Sequence, residues 1–171
     1  MKANRIALVV ALVLVAAPAP AQGPSPAQQA FEKLKTLVGE WEGTNSAGYP
    51  VTASYHLASN GSVLVETLRE QEGQATLTML TTYYVDNGRL LMTHYCGAAN
   101  QPRMQAAGLS LDGPRIRFTF VDVTNMPDVN TGHMRGLQVN FVDAAHYTQQ
   151  WTWRENGKDT VNQPFRMTRQ K

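Results

Sequence analysis

The chain has 171 residues, with 15 Lys+Arg against 13 Asp+Glu and a single cysteine. Two of the cations, Lys2 and Arg5, precede an apolar run at the N-terminus, so the rest of the chain carries 13 charges of each sign. No Lys/Arg run occurs elsewhere, which removes the electrostatic footprint that a nucleic-acid or anionic-membrane binder needs. The lone Cys96 excludes an intrachain disulfide, so the fold must rest on its apolar core.

In chain order, the first feature is a secretory signal. After Lys2 and Arg5, residues 6–17 form an apolar stretch too short to span a bilayer. Ala19-Pro20-Ala21 then gives a small-x-small cleavage pattern, which places the signal peptide at 1–21 and the mature start at Gln22. That reading sends the protein to the periplasm or the exterior, with no membrane attachment after cleavage. No cysteine near the cut is available for lipid modification. Residues 22–28, rich in Pro, Gly, Ser and Gln, read as a flexible leader, and 29–171 as one domain.

Phe31, Leu34, Leu37 and Val38 recur at helical spacing, which predicts a helix of two to three turns ended by Gly39. After Glu40 the pattern changes to strands near 40–45, 50–58, 62–69, 75–85, 89–97, 103–111, 115–122, 133–142, 145–154 and 159–169. Asn60-Gly61, Asn87-Gly88, Asp112-Gly113 and Asn156-Gly157 punctuate them as two-residue hairpin turns. No later segment has helical periodicity long enough for a βαβ crossover, so neighbouring strands pair antiparallel. The fold class is therefore all-β: a single up-and-down barrel of about ten strands behind a short N-terminal helix, closed because closure removes exposed edges.

Gly39-Glu40-Trp41, just after a short helix and at the start of the first strand, resembles the G-x-W signature of the calycins, the superfamily of lipocalins and fatty-acid-binding proteins. The resemblance implies that Trp41 closes the blunt end of the barrel beneath a basic residue of the last strand. Arg169 is the candidate on the apolar Phe165/Met167/Arg169 face, with Arg166 second. Thr93-His94-Tyr95-Cys96, Asn100-Gln101-Pro102-Arg103-Met104 and His133-Met134 are similar to stretches of uncharacterised exported bacterial lipocalin-like proteins. Members of that group carry a second His where this chain has Arg135, which weakens any two-histidine site there. The resemblance brings a fold and no established activity.

Up-and-down connectivity separates the loops into two sets. Those after strands two, four, six and eight look short; those near 45–49, 70–74, 97–102 and 123–132 look longer and should surround an open mouth opposite Trp41 and Arg169. Candidate binding residues gather at or near this mouth: His94, Cys96, Asn100, Gln101, Arg103, His133, Tyr55 and Glu66. His94 and Cys96 share a strand face, whereas Glu66, between Val65 and Thr67, is compatible with either face. The leading expectation is a binder of a small apolar molecule with a polar or anionic group, held by Arg103 with His94 and Tyr55 or Tyr95 as further donors. No partner beyond such a ligand is indicated, and no cofactor is called for. Alternatives left open are an enzyme with Glu66 or His94 as general base, a metal site from His94, Cys96 and His133, a structural module without ligand, and haem on one imidazole, since barrel relatives include haem binders.

Overall fold

The computed structural model describes residues 23–45, 47–109 and 113–171. The signal-peptide segment at 1–21 and Asp112 of the third hairpin turn lie outside the described residues. A helix α1 (Pro26–Lys35) precedes eleven strands: β1 (Gly39–Thr44), β2 (Pro50–Ala58), β3 (Val63–Glu72), β4 (Ala75–Asp86), β5 (Arg89–Tyr95), β6 (Gln101–Ala107), β7 (Arg115–Thr124), β8 (His133–Phe141), β9 (His146–Glu155), β10 (Lys158–Val161) and β11 (Phe165–Arg169).

The helix starts inside the segment that composition marks as a leader. Ser25 explains this: its hydroxyl accepts from Gln28 N–H while the Gln28 side chain accepts from Ser25 N–H, a reciprocal capping box, and Pro26 needs no intrahelical donor. Ala27, Ala30, Phe31 and Leu34 form its buried stripe. The helix packs against β4 and β5, and Lys33 Nζ donates to Gly113 O at 2.6 Å, so α1 lies across one end of the barrel.

Every strand pairs antiparallel with its neighbours, and β1 pairs with β11 while β8 pairs with β9, closing the ring. The ring has ten positions. The last is shared by β10 and β11, which hydrogen-bond to opposite halves of β9, at Thr152–Glu155 and His146–Gln149. The single strand expected at 159–169 is thus broken at residues 162–164. Pro164 has no N–H to give to a ladder, and β1 pairs only with the β11 half.

Two turns behave as the dipeptides demand: Asn87-Gly88 and Asn156-Gly157 both take positive φ at both positions, joining Asp86 to Arg89 and Glu155 to Lys158. Two loops differ from expectation. Asn60-Gly61 sits in a four-residue 3₁₀ connection between Ala58 and Val63, in which Ser59 also has positive φ. Conversely, β3 and β4 run on to the two-residue turn at Gly73, so no long loop lies there.

Candidate functional site

The end covered by α1 is filled. Trp41 is 2% exposed; its indole Nε1 donates to Leu37 O at 2.7 Å, and the Arg169 guanidinium lies over the ring, 4.2 Å from its centroid. Arg169 is held there by donating to Val38 O (2.8 Å), Thr36 O (2.6 Å) and Ala144 O (3.1 Å). Gly39 makes room for it: its φ is +125°, and a Cβ there would come 2.9 Å from Arg169 Nη1.

Above this plug runs a polar belt set by strand register. Tyr55 on β2 pairs with Glu66 on β3, Glu66 with Thr81 on β4, and Thr81 with His94 on β5. All four side chains are buried inside the barrel. Glu66 Oε1 accepts from Tyr55 Oη (2.9 Å) and Gln149 Nε2 (2.6 Å), and Oε2 accepts from Tyr83 Oη (2.8 Å). Because Tyr55 spends its proton on Glu66, Tyr147 must donate to Tyr55 across their 2.9 Å contact. Burial pushes the Glu66 carboxyl above its ordinary range, while its donors, Thr81 among them, pull the other way. The same burial, with the Glu66 charge second, holds Tyr55 and Tyr83 well above the usual phenol range.

Beyond the belt the interior opens into a cavity of about 370 Å³. Leu68, Leu77, Met79, Met134, Trp151, Trp153 and Phe165 give it apolar walls; Glu70 of β3 lines it as well, and Asn45, Asn162 and Gln163 line it where β10 lies beside β9 without pairing to β1. It lies at the mouth that the connectivity indicates, with Cys96, Gly97 and Ala98 of the β5–β6 loop on its wall. His94 is the belt residue that reaches it. Its ring packs on Trp151 at 4.5 Å, Nδ1 lies 3.0 Å from Thr81 Oγ1, and Nε2 is buried with no hydrogen-bond partner. Burial lowers its pKa to about 4, so the imidazole is neutral at pH 7.

The other residues singled out from sequence divide sharply. Cys96 lines the cavity half-buried, and burial pushes its thiol up, away from the thiolate a nucleophile needs. Arg103 does not line the cavity. Pro102 and Met104 on either side of it are buried, so strand alternation turns Arg103 outward, where it forms a bidentate pair with Asp122 on β7. The expectation that Arg103 holds a ligand is therefore corrected, and so is the role given to Tyr95, which is 46% exposed on the opposite strand face. Tyr55 and Glu66 face inward but are absorbed in the belt rather than presented to the cavity.

His133 is buried, with Nδ1 on Thr131 O at 2.9 Å and its ring 5.3 Å from Phe120, and it does not join His94 and Cys96. Among the described residues no three His, Cys, Asp or Glu side chains converge as metal ligands would. Asn100 and Gln101 brace loops: Asn100 Nδ2 donates to Gly132 O (2.9 Å), and Gln101 Nε2 to Ala99 O (3.3 Å).

Sequence reasoning passes over Gly132. A Cβ at this position would fall inside the Trp153 indole, so glycine is what lets Trp153 stand as cavity wall. Gly132→Ala should displace that ring while leaving the barrel folded. A changed Trp fluorescence spectrum with a near-native far-UV circular dichroism spectrum is the expected result; an unaltered emission spectrum would count against it.

No family model and no curated protein matches the chain. Among solved structures, it is similar to one described as "Structure of EF1p2_mFAP2b bound to DFHBI", at 9% identity and a TM-score of 0.40, over 82% of this chain and 98% of that one. At that level of likeness the barrel reading stands on the chain's own strand pairing.

Proposed function

We propose that this protein is an exported, calycin-like binder of a small, largely apolar molecule carrying one polar group, which enters between the mouth loops and rests on His94. One observation carries the reading: one end of the barrel is packed solid around Trp41, whereas the other keeps a cavity of about 370 Å³ walled by Leu, Met, Trp and Phe side chains. That volume falls within the usual range for small-molecule pockets, and apolar walls with one or two placed polar groups are their usual construction. Export rests on the N-terminal residues Lys2, Arg5 and 6–21. An anionic ligand has no support, since Arg103 points away and no Lys or Arg among the described residues lines the cavity.

Of the two candidate bases of the catalytic alternative, His94 reaches the cavity and Glu66 does not. Glu66 has its oxygens occupied by the belt and does not line the cavity, so it is not placed to take a proton from a bound molecule. The binding reading is tested by native mass spectrometry of the purified protein from its own cells. A retained small molecule, released on unfolding, is the expected result. A chain that carries nothing and binds no member of an apolar fragment set would overturn it.

A further inference from the structure

The inward face of β3 carries Leu64, Glu66, Leu68 and Glu70, every second residue of the strand. The belt consumes Glu66. Glu70 lies four residues further along, roughly 13 Å nearer the mouth, and lines the cavity half-buried. Asn45 Nδ2 donates to its Oε1 at 3.0 Å, and none of the ion pairs formed among the described residues includes it. The rest of the wall is neutral. No Lys or Arg among the described residues lines it, and burial keeps the Cys96 thiol protonated. The His94 imidazole is uncharged at pH 7 whichever of its nitrogens bears the proton. Among the described residues, the Glu70 carboxylate is therefore the one charged group that lines this cavity.

We infer that the cavity takes an amine, whose apolar body reaches down to Trp151 and His94 while its ammonium group pairs with Glu70 near the mouth. This rests on the binding reading above and names the polar group of the ligand. Charge separates the candidates. A carboxylate entering here would lose water and meet the Glu70 charge with no cation in return. A hydroxyl could gain a hydrogen bond but no ion pairing. An ammonium N–H donates to the carboxylate as a charge-assisted hydrogen bond, about twice as strong as a neutral one. The depth of Glu70 suits this role. A fully exposed ion pair contributes little because water screens it, and a fully buried one costs the cation its hydration. Glu70 stands between these limits, at the outer part of an apolar chamber. Trp151, Trp153 and Phe165 line the same cavity, and aromatic faces attract a cation where an aliphatic wall would not.

Three probes that share one alkyl chain separate the possibilities in calorimetric titrations at pH 7: octylamine, 1-octanol and octanoate. Octylamine should bind about three- to tenfold tighter than 1-octanol, the size of one half-screened ion pair with its hydrogen bond, and octanoate should bind weakest. Glu70→Gln keeps an oxygen to accept from Asn45 Nδ2 and removes only the charge. It should bring octylamine down to the affinity of 1-octanol and leave 1-octanol unchanged. Salt offers a second readout that needs no variant to fold. Raising NaCl should shrink the octylamine-to-octanol ratio in the native protein, because added ions screen the pair. Binding of 1-octanol as tight as that of octylamine, a preference for octanoate, a ratio indifferent to salt, or an amine preference that survives Glu70→Gln overturns the inference while leaving the binding reading in place. If none of the three binds, the inference falls as well, and the apolar fragment set decides the binding reading separately.

Discussion

Trp41→Ala should lower the unfolding free energy by about 3–5 kcal/mol, the range for truncating a fully buried large aromatic. The indole is enclosed by the end of α1, packs edge-on against Tyr147 at 4.7 Å between centroids, and supports the Arg169 cation on its face. For a chain of this size, that loss corresponds to a fall of roughly 10 °C in Tm. Arg169→Ala removes donors to Thr36, Val38 and Ala144 but leaves the indole in place. Its cost should be about 1–2 kcal/mol, because these hydrogen bonds are partly solvated. Neither substitution touches a residue lining the mouth cavity. Affinities for the apolar fragments measured well below the lowered Tm should therefore match those of the unsubstituted protein, and a changed order of preference among them in Trp41→Ala would overturn the separation of stability from binding.

That separation could be read from sequence because it depends on connectivity alone. Antiparallel neighbours force β1 to start, and β11 to finish, at the end where the β4–β5 and β8–β9 connections lie. Which side chains face the interior depends on strand parity and register, and these are harder to extract. For Arg103 the signal was present: Pro102, Met104 and Ala106 alternate with Arg103, Gln105 and Ala107, so an apolar interior face leaves the arginine outside. On β3 both faces carry aliphatic residues, Val63 and Val65 on one and Leu64 and Leu68 on the other, so hydrophobicity could not place Glu66.

The belt is a further step removed. Tyr55, Glu66, Thr81 and His94 come from four strands, and only the register of three successive pairings brings them into one row. Thr81 gave no chemical signal of its own, yet it orients His94. The break in the tenth strand was hidden for a different reason. Pro164 marks it, but a proline is compatible with an edge position. It takes the closed ring to show that β10 lies beside β9 without reaching β1, which is the gap lined by Asn45, Asn162 and Gln163.

Glu66→Leu should cost nearly as much as Trp41→Ala, and for a polar rather than a packing reason. The carboxylate is the common acceptor for Tyr55, Tyr83 and Gln149. Removing it strands these buried donors, each at about 1–3 kcal/mol, against which the burial of a leucine and the relief of carboxylate desolvation offset part; a net loss on the order of 3 kcal/mol is expected. Glu66→Gln should cost much less, since its carbonyl oxygen keeps Tyr55 and Gln149 paired and its NH2 can donate to the Tyr83 oxygen. The two variants also differ from the native chain in pH dependence. Burial raises the folded-state pKa of Glu66, so folding takes up a proton there. Its contribution is fully present below the ordinary glutamate range and is lost as pH rises through the raised value. His94 runs the other way: with a folded pKa of about 4, its contribution is lost as pH falls through the window between the ordinary histidine value and that figure. Both chains share the histidine, so subtracting urea-unfolding free energies of Glu66→Gln from those of the native protein isolates the carboxyl. The difference should favour the native chain most at the acid end and decline with rising pH. A flat difference would mean that the belt's donors cancel burial, and one that grows with pH that they outweigh it; either overturns the raised value.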